Sequence, residues 1–248
     1  MYSTAMARRI PEHRFYDLIR VATEVFVDQG YRRTQMSDVA AALGVAKGTL
    51  YGYVESKEAL FLLAARYSDC PGPIEPPAQL PVPTPKPGEI LRVLEERLAR
   101  EGSMPVLTEA LSRRRVRNLR LELEAVLREL YSIMERNHRG IELIDRCALD
   151  HPELAERWQQ AGREGTRGAF TDYLDARIRS RQLRPIRDTR LVARLALETI
   201  TTWAVHIKWD RSPQKFDAEA ARENVIQFLL HGLLRDAEPA PLTPKEKA

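Results

Sequence analysis

Between Ala46 and Tyr53 the chain reads AKGTLYGY, a lysine, a threonine and two tyrosines set among alanine and glycine. The segment offers no carboxylate, histidine or cysteine for acid–base or metal work. It offers a cation, hydroxyls and phenols on a thin backbone, and that is the chemistry of recognition. Lys47 supplies charge, and Tyr51 and Tyr53 supply hydroxyls with the reach of a phosphate oxygen. The small Ala46 and Gly48, with Thr49 beside them, let the backbone approach base edges.

Two short helices must hold these groups. Thr34 is the expected N-cap of the first, its hydroxyl accepting from an unpaired amide. Met36, Val39, Ala40 and Leu43 recur at one-face helical spacing. Gly44 follows where the chain must turn with a positive φ, and Val45 and Leu50 hold the second helix on the first. The layout predicts a helix-turn-helix whose second helix lies in a DNA major groove. Upstream, Phe15, Leu18, Ile19, Ala22, Val25 and Phe26 form an apolar face ending at Gly30. Downstream, Ser56 is placed to cap KEALFLLAARY, whose inner face is Leu60, Leu63 and Ala64.

Over VATEVFVDQGYRRTQMSDVAAALGVAKGTLYGYVESKEALF the chain resembles the TetR family of regulators. The resemblance implies an all-α fold, with an N-terminal helix-turn-helix head on a larger helical ligand-binding and dimerisation domain. It also implies that Thr34 and Gln35 contact phosphates or an adjacent base and that Ala46, Lys47, Gly48 and Thr49 enter the groove. Tyr51, Tyr53 and Lys57 would grip the backbone. Gly52 departs from the family pattern. Read as lying inside the recognition helix, it costs about 1 kcal/mol against alanine and shifts base reading toward Ala46–Thr49.

The 248 residues are 44% hydrophobic and 30% charged, which suits a small head plus one larger domain. A net charge of +4 fits a polyanionic partner without requiring one. No apolar run approaches the roughly 20 residues of a membrane helix, and no secretion signal is recognisable. The expected location is cytoplasmic, with Cys70 and Cys147 reduced. The histidines and cysteines fall in no metal-ligand spacing, and no catalytic motif or cofactor pattern is present, so no metal, cofactor or enzymatic activity is expected.

The organisation follows from composition. Residues 1–11, with Arg8 and Arg9, read as a flexible basic arm, and 12–70 as the head. Residues 71–88, PGPIEPPAQLPVPTPKPG, read as an extended proline-rich connector. Ile74, Leu80 and Val82 within it favour wrapping on a domain surface. Residues 89–235 read as wholly helical and 236–248 as a disordered tail. Within the helical region Gly102 ends one helix and Pro105 opens another. A long segment from Leu119 breaks near Gly140, and Pro152 opens a helix running past Trp158, Phe170 and Ile178 to Pro185. The basic run Arg113–Arg120 reads as a solvated face rather than a second DNA site.

Asp188 and Asp217 are the expected caps of the last two helices. The first of these is apolar on nearly every side, which asks for burial on two faces and hence for a partner. In the resembled family such helices pack on their copies across a two-fold axis, which implies an interface of Leu195, Thr199, Trp203, Val225, Phe228, Leu229 and Gly232. A dimer would present two recognition helices about 34–36 Å apart, or a multiple of that, to a palindromic operator. Family behaviour also implies a pocket for a small-molecule effector, apolar or amphipathic. Its walls would be Trp158, Phe170, Tyr173 and Trp203, with Glu142, Asp145, Thr202 or His206 as polar anchors. The competing reading is an all-helical dimeric scaffold that no longer binds specific DNA.

Overall fold

A computed structural model describes residues 12–210 and 215–234; the basic arm and the C-terminal tail lie outside them. Twelve α-helices are described in chain order. They are α1 (Glu12–Gln29), α2 (Met36–Leu43), α3 (Lys47–Leu50), α4 (Lys57–Tyr67), α5 (Glu89–Glu101) and α6 (Pro105–Ser112). There follow α7 (Leu119–Arg136), α8 (His138–Cys147), α9 (Pro152–Arg157), α10 (Gly165–Arg179), α11 (Thr189–Ala204) and α12 (Ala218–Leu233). The only extended pairing among the described residues is one isolated parallel bridge, Val54 with Val82. The fold is all-α.

The helices form two compact units. The first runs to Ser103 and takes in Arg136–Glu164; the second is Met104–Glu135 with the chain from Gly165 on. The division cuts across the boundary expected at residue 88, because α5 packs on α4, and α8 packs on both α1 and α4. That packing explains α4. Every residue from Ala59 to Ala65 is buried, not one face alone, since neighbours lie on several sides. The caps fall where local chemistry placed them. Ser56 Oγ accepts from Ala59 N–H at 3.2 Å, and Gly30 leaves α1 at φ 79°.

The connector lies along the first unit. Val82 N–H donates to Tyr53 O at 2.8 Å, and Glu55 N–H donates to Val82 O at 3.0 Å. Thr84 N–H then donates to Glu55 Oε2 at 2.9 Å. Ile74 and Val82 are buried and Leu80 half-buried, so the wrapping that their apolar character favoured is what forms. The strap sits on the residues that directly follow the recognition segment.

Behind α4 a junction joins three helices. Arg97 of α5 donates to Ala65 O at 2.7 Å, to Ser68 Oγ at 2.9 Å and to Asp69 Oδ2 at 2.7 Å. Asp69 in turn accepts from the Arg139 and Gly140 N–H groups at 2.9 and 2.8 Å, capping the start of α8. The break expected at Gly140 falls instead at Asn137, and Gly140 lies inside α8. A Cβ there would come within 2.6 Å of Asp69 Oδ2 and 2.7 Å of the Arg97 guanidinium, so this glycine serves close approach and not a kink. The helix expected to run unbroken from Pro152 is also interrupted. Residues Trp158–Glu164 form a π-helical turn, in which Gly162 leaves room for the Trp158 ring, and α10 ends at Arg179, ahead of Pro185.

In the second unit α10 packs on α6 and α11, and α11 on α12. Glu129 of α7 caps α6 from outside its own chain segment, accepting from the Val106 and Leu107 N–H groups at 2.8 and 2.9 Å. Asp188 and Asp217 cap α11 and α12 as expected, at 3.0 and 2.7 Å. At the centre Arg177 is fully buried, a cation that periodicity alone did not single out.

Candidate nucleic-acid interface

The α2–turn–α3 segment forms as the apolar pattern dictates. Met36, Val39, Ala40 and Leu50 are buried, and Gly44 turns the chain at φ 70° with its N–H returned to the end of α2. Gln35, not Thr34, occupies the cap position of α2, and Asp38 accepts from its N–H at 2.8 Å. Thr34 is buried instead, its hydroxyl donating to Gly30 O at 2.7 Å. Gln35, Ala46, Lys47, Gly48 and Thr49 are exposed, and Tyr51 is 41% exposed. The Lys47 side chain makes no hydrogen bond or ion pair among the described residues. One cation, one hydroxyl and one phenol thus project from a segment whose other exposed residues, Ala46 and Gly48, are no bulkier than alanine, a shape that fits a groove.

Three expected contacts lie elsewhere. Tyr53 is buried and its backbone holds the strap. Lys57 is half-buried, and its ammonium donates to Tyr31 O at 3.0 Å and Thr34 O at 3.1 Å while lying 4.4 Å from the Tyr31 ring centroid. It fastens the α1–α2 turn to α4 and has little left for a phosphate. Thr34, as above, faces inward. Gly52 is not inside a helix either. α3 ends at Leu50, and Gly52 N–H closes a turn on Thr49 O at 3.1 Å, so the helix penalty does not apply. A Cβ there would sit 3.2 Å from Thr49 O, which keeps the turn tight.

The α1–α2 turn has a second fastening, from the loop between α8 and α9. Asp150 Oδ2 accepts from Arg32 N–H at 2.8 Å. The His151 ring lies 4.3 Å from that of Tyr31 and stacks on Phe61 at 5.5 Å. Phe26 completes the cluster, 5.3 Å from Phe61. Cys147 is buried beneath it, and burial pushes its thiol up to about 12, so the thiolate is not populated near neutrality. The sequence marked His151 and Asp150 only as a helix start. Their partners, 90 or more residues away, gave no local signal.

His151 makes this latch sensitive to acid. Burial lowers its pKa below the usual 6.5; Asp150 and Glu58 pull it back up, and Lys57 pushes it down. Nε2 is buried without a hydrogen-bond partner. The unfolded chain therefore takes up a proton near pH 6.5 that the folded chain takes up only lower. Stability present above that pH is lost as pH falls through the window. Relative to the parent, His151→Phe is expected to gain in melting temperature below about pH 6.5 and not at pH 8. Parallel melting profiles across that range would exclude the effect.

The expected pocket residues do not share one unit. Glu142, Asp145 and Trp158 belong to the first, where Asp145 Oδ1 accepts from Trp158 Nε1 at 2.6 Å and from Arg163 at 2.8 Å. Glu142 is buried and paired with Arg146 at 3.1 Å. Phe170 and Tyr173 are fully buried in the second unit, and Thr202 and His206 are exposed there. Trp203 lies edge-on to Phe216 at 5.2 Å in a groove of about 400 Å³, shared with Thr199, Ala221, Val225 and Phe228. Leu195 and Phe228 are 54% and 70% exposed, and Leu191 beside them 53%. Val225 and Leu229 are buried in the seam, and Gly232 is exposed.

Residues 18–64, spanning this interface, match the family model described as bacterial regulatory proteins, tetR family. This segment is the helix-turn-helix head of a tetR-family regulatory protein. The chain is also similar to the fatty acid metabolism regulator protein of Bacillus subtilis strain 168, with 22% identity over 226 residues, 89% of this chain and 95% of that one. Among solved structures, the ketosteroid transcriptional regulator of Mycobacterium tuberculosis aligns over 92% of this chain and 98% of its own, at 19% identity and a TM-score of 0.55. A TetR-family regulator from Streptomyces coelicolor A3 aligns over 88% and 91%, at 21% identity and a TM-score of 0.51. These structural likenesses establish the TetR-type fold, and none of its helices among the described residues is long and apolar enough to cross a membrane.

Proposed function

We propose that the chain is a ligand-responsive repressor that binds a palindromic operator as a homodimer, through Gln35, Ala46–Thr49 and Tyr51. The observation that carries this reading is the exposed α3 segment with its uncommitted side chains, held on the buried face of α2 and strapped behind by the connector. The dimer reading is supported by Leu191, Leu195 and Phe228, large apolar side chains exposed on α11 and α12 beside an apolar groove. The effector reading is supported by the relative named for fatty acid metabolism, which makes fatty acids and their thioesters the first class to test. A ligand acts by preferring one head arrangement, and the Asp150–His151 latch on the α1–α2 turn is the contact through which α8 and α9 bear on the reading head.

Fluorescence anisotropy with duplex DNA from beside the coding region tests the reading. Tight binding of two chains per duplex is expected, with steep salt dependence. Lys47→Ala should lower the salt slope by about 1 and Tyr51→Phe should weaken binding further. Addition of a long-chain fatty acid or its thioester should release the DNA. Absent or salt-insensitive binding would favour the scaffold reading instead.

A further inference from the structure

Segments 113–120 and 179–190 hold ten arginines against one acid, Asp188, a net charge of +9 where the whole chain carries +4. The rest of the chain is therefore net acidic. The two segments are bound to each other within the second unit. Gln182 Nε2 donates to Val116 O at 2.7 Å, and Val116 N–H donates to Gln182 Oε1 at 3.2 Å. The buried Arg177 donates to Arg113 O at 2.9 Å. Arg181 is held at φ 60°, a left-handed conformation that a non-glycine residue adopts at a cost. The Gln182 and Leu183 N–H groups, both returned to Arg177 O, hold it there.

Arg120 and Arg184 are committed to α12, through Gln227 at 2.9 Å and Gly232 O at 2.7 Å. Others are not. Arg114, Arg115, Arg117, Arg179, Arg181 and Arg187 are exposed, and their side chains make no hydrogen bond or ion pair among the described residues. A solvated face looks different, and this chain shows how. On α1, α5 and α11 the arginines pair with glutamates one turn away, as in Arg20–Glu24, Arg92–Glu96 and Arg194–Glu198. At this edge Arg113 pairs with Glu109 of α6, but the six exposed arginines have no such acid, and a backbone clamp holds the like charges together.

We propose that this arginine edge is a second, sequence-independent contact for the phosphate backbone of duplex DNA. Guanidinium groups match phosphate oxygens in pairs, and a row of them suits a polymer carrying one charge per roughly 1.7 Å better than a single anion. Neither segment contains an aromatic side chain on which a base could stack. Neither exposes a large apolar side chain that could enter a bilayer. Backbone phosphate is what remains, and a DNA-binding regulator works surrounded by it. The contact adds affinity for any duplex and leaves sequence choice to the head.

The test uses the full chain with Arg114→Ser, Arg115→Ser and Arg117→Ser combined, and a duplex of scrambled sequence. Expected is a fall of about 2–3 in the slope of log affinity against log salt, roughly 0.9 for each phosphate no longer neutralised, with an unchanged melting temperature. Arg187→Ser, from the other loop, should act in the same direction. In a Lys47→Ala, Tyr51→Phe background the scrambled duplex should still bind until the arginines are also replaced. An unchanged slope overturns the proposal, and so does loss of all scrambled-duplex binding on the head substitutions alone. Retention on phosphatidylglycerol vesicles without arginine-dependent duplex binding would also overturn it, assigning the edge to a lipid surface. Operator preference belongs to the head, so its absence beside arginine-dependent binding would sink only the head reading.

Discussion

Replacing Arg177 with methionine is expected to cost the chain about 3–5 kcal/mol of stability, the scale of a buried ion pair robbed of one partner. Arg177 is 0% exposed and donates to Glu122 Oε1 at 2.7 Å and to Ala110 O at 2.6 Å, besides Arg113 O. Without it Glu122 would keep one hydrogen bond, from the Tyr173 hydroxyl at 3.3 Å, while its Oε2 already has none. Burial holds the Tyr173 phenol well above its usual pKa, so that hydroxyl stays a donor. A carboxylate left in that setting must either bear the desolvation penalty or take up a proton. The pair as a whole is another matter, because two buried charges can give way to apolar groups at little cost. Urea denaturation should therefore show Glu122→Leu with Arg177→Met recovering at least half the loss. A single-variant cost below about 1 kcal/mol, or a double variant no better than the single, would refute the account.

Asp69→Ala should be the matching lesion in the first unit, at about 3 kcal/mol, or some 6–12 °C in melting temperature for a chain of this size. Two contributions add. The substitution leaves the Arg97 guanidinium, only 12% exposed, with neutral acceptors alone, and uncaps the start of α8 by removing the acceptor for two N–H groups. Since α4 ends at this junction, operator affinity should fall along with stability. Arg97→Leu in the parent should cost less, because Asp69 would keep its two backbone donors. If Asp69→Ala and Arg97→Leu prove additive in the double variant, the two side chains do not act as one unit.

Much of this was readable from local chemistry. Ser56, Asp188 and Asp217 cap their helices, and Gly30 and Gly44 turn the chain, because each needs only neighbours within four residues. The outward set Ala46–Thr49 with Tyr51 was legible for the same reason, since burial of Leu50 fixes the face opposite. What failed depended on distant partners. Lys57 had the type and place of a phosphate contact, yet two carbonyls of the α1–α2 turn claim it. Gly140 looked like a breaker because nothing nearby told of Asp69, 71 residues away. Arg177 did leave a trace: it falls at helical spacing from Phe170, Tyr173 and Leu174, all buried. A cation on an apolar face announces a buried acceptor without saying which.

The strap has a consequence for how the chain can vary in length. Val82 and Thr84 are fixed to Tyr53 and Glu55, while α4 ends at Tyr67, so residues 68–81 form a loop closed at both ends on one unit. The entropy of closing such a loop grows only slowly with added residues. Insertions or deletions ahead of Leu80 should be tolerated, provided Ile74 keeps its buried seat. Between Val82 and Gly88 the situation reverses, because a single added residue would draw α5 out of step with the recognition segment it trails.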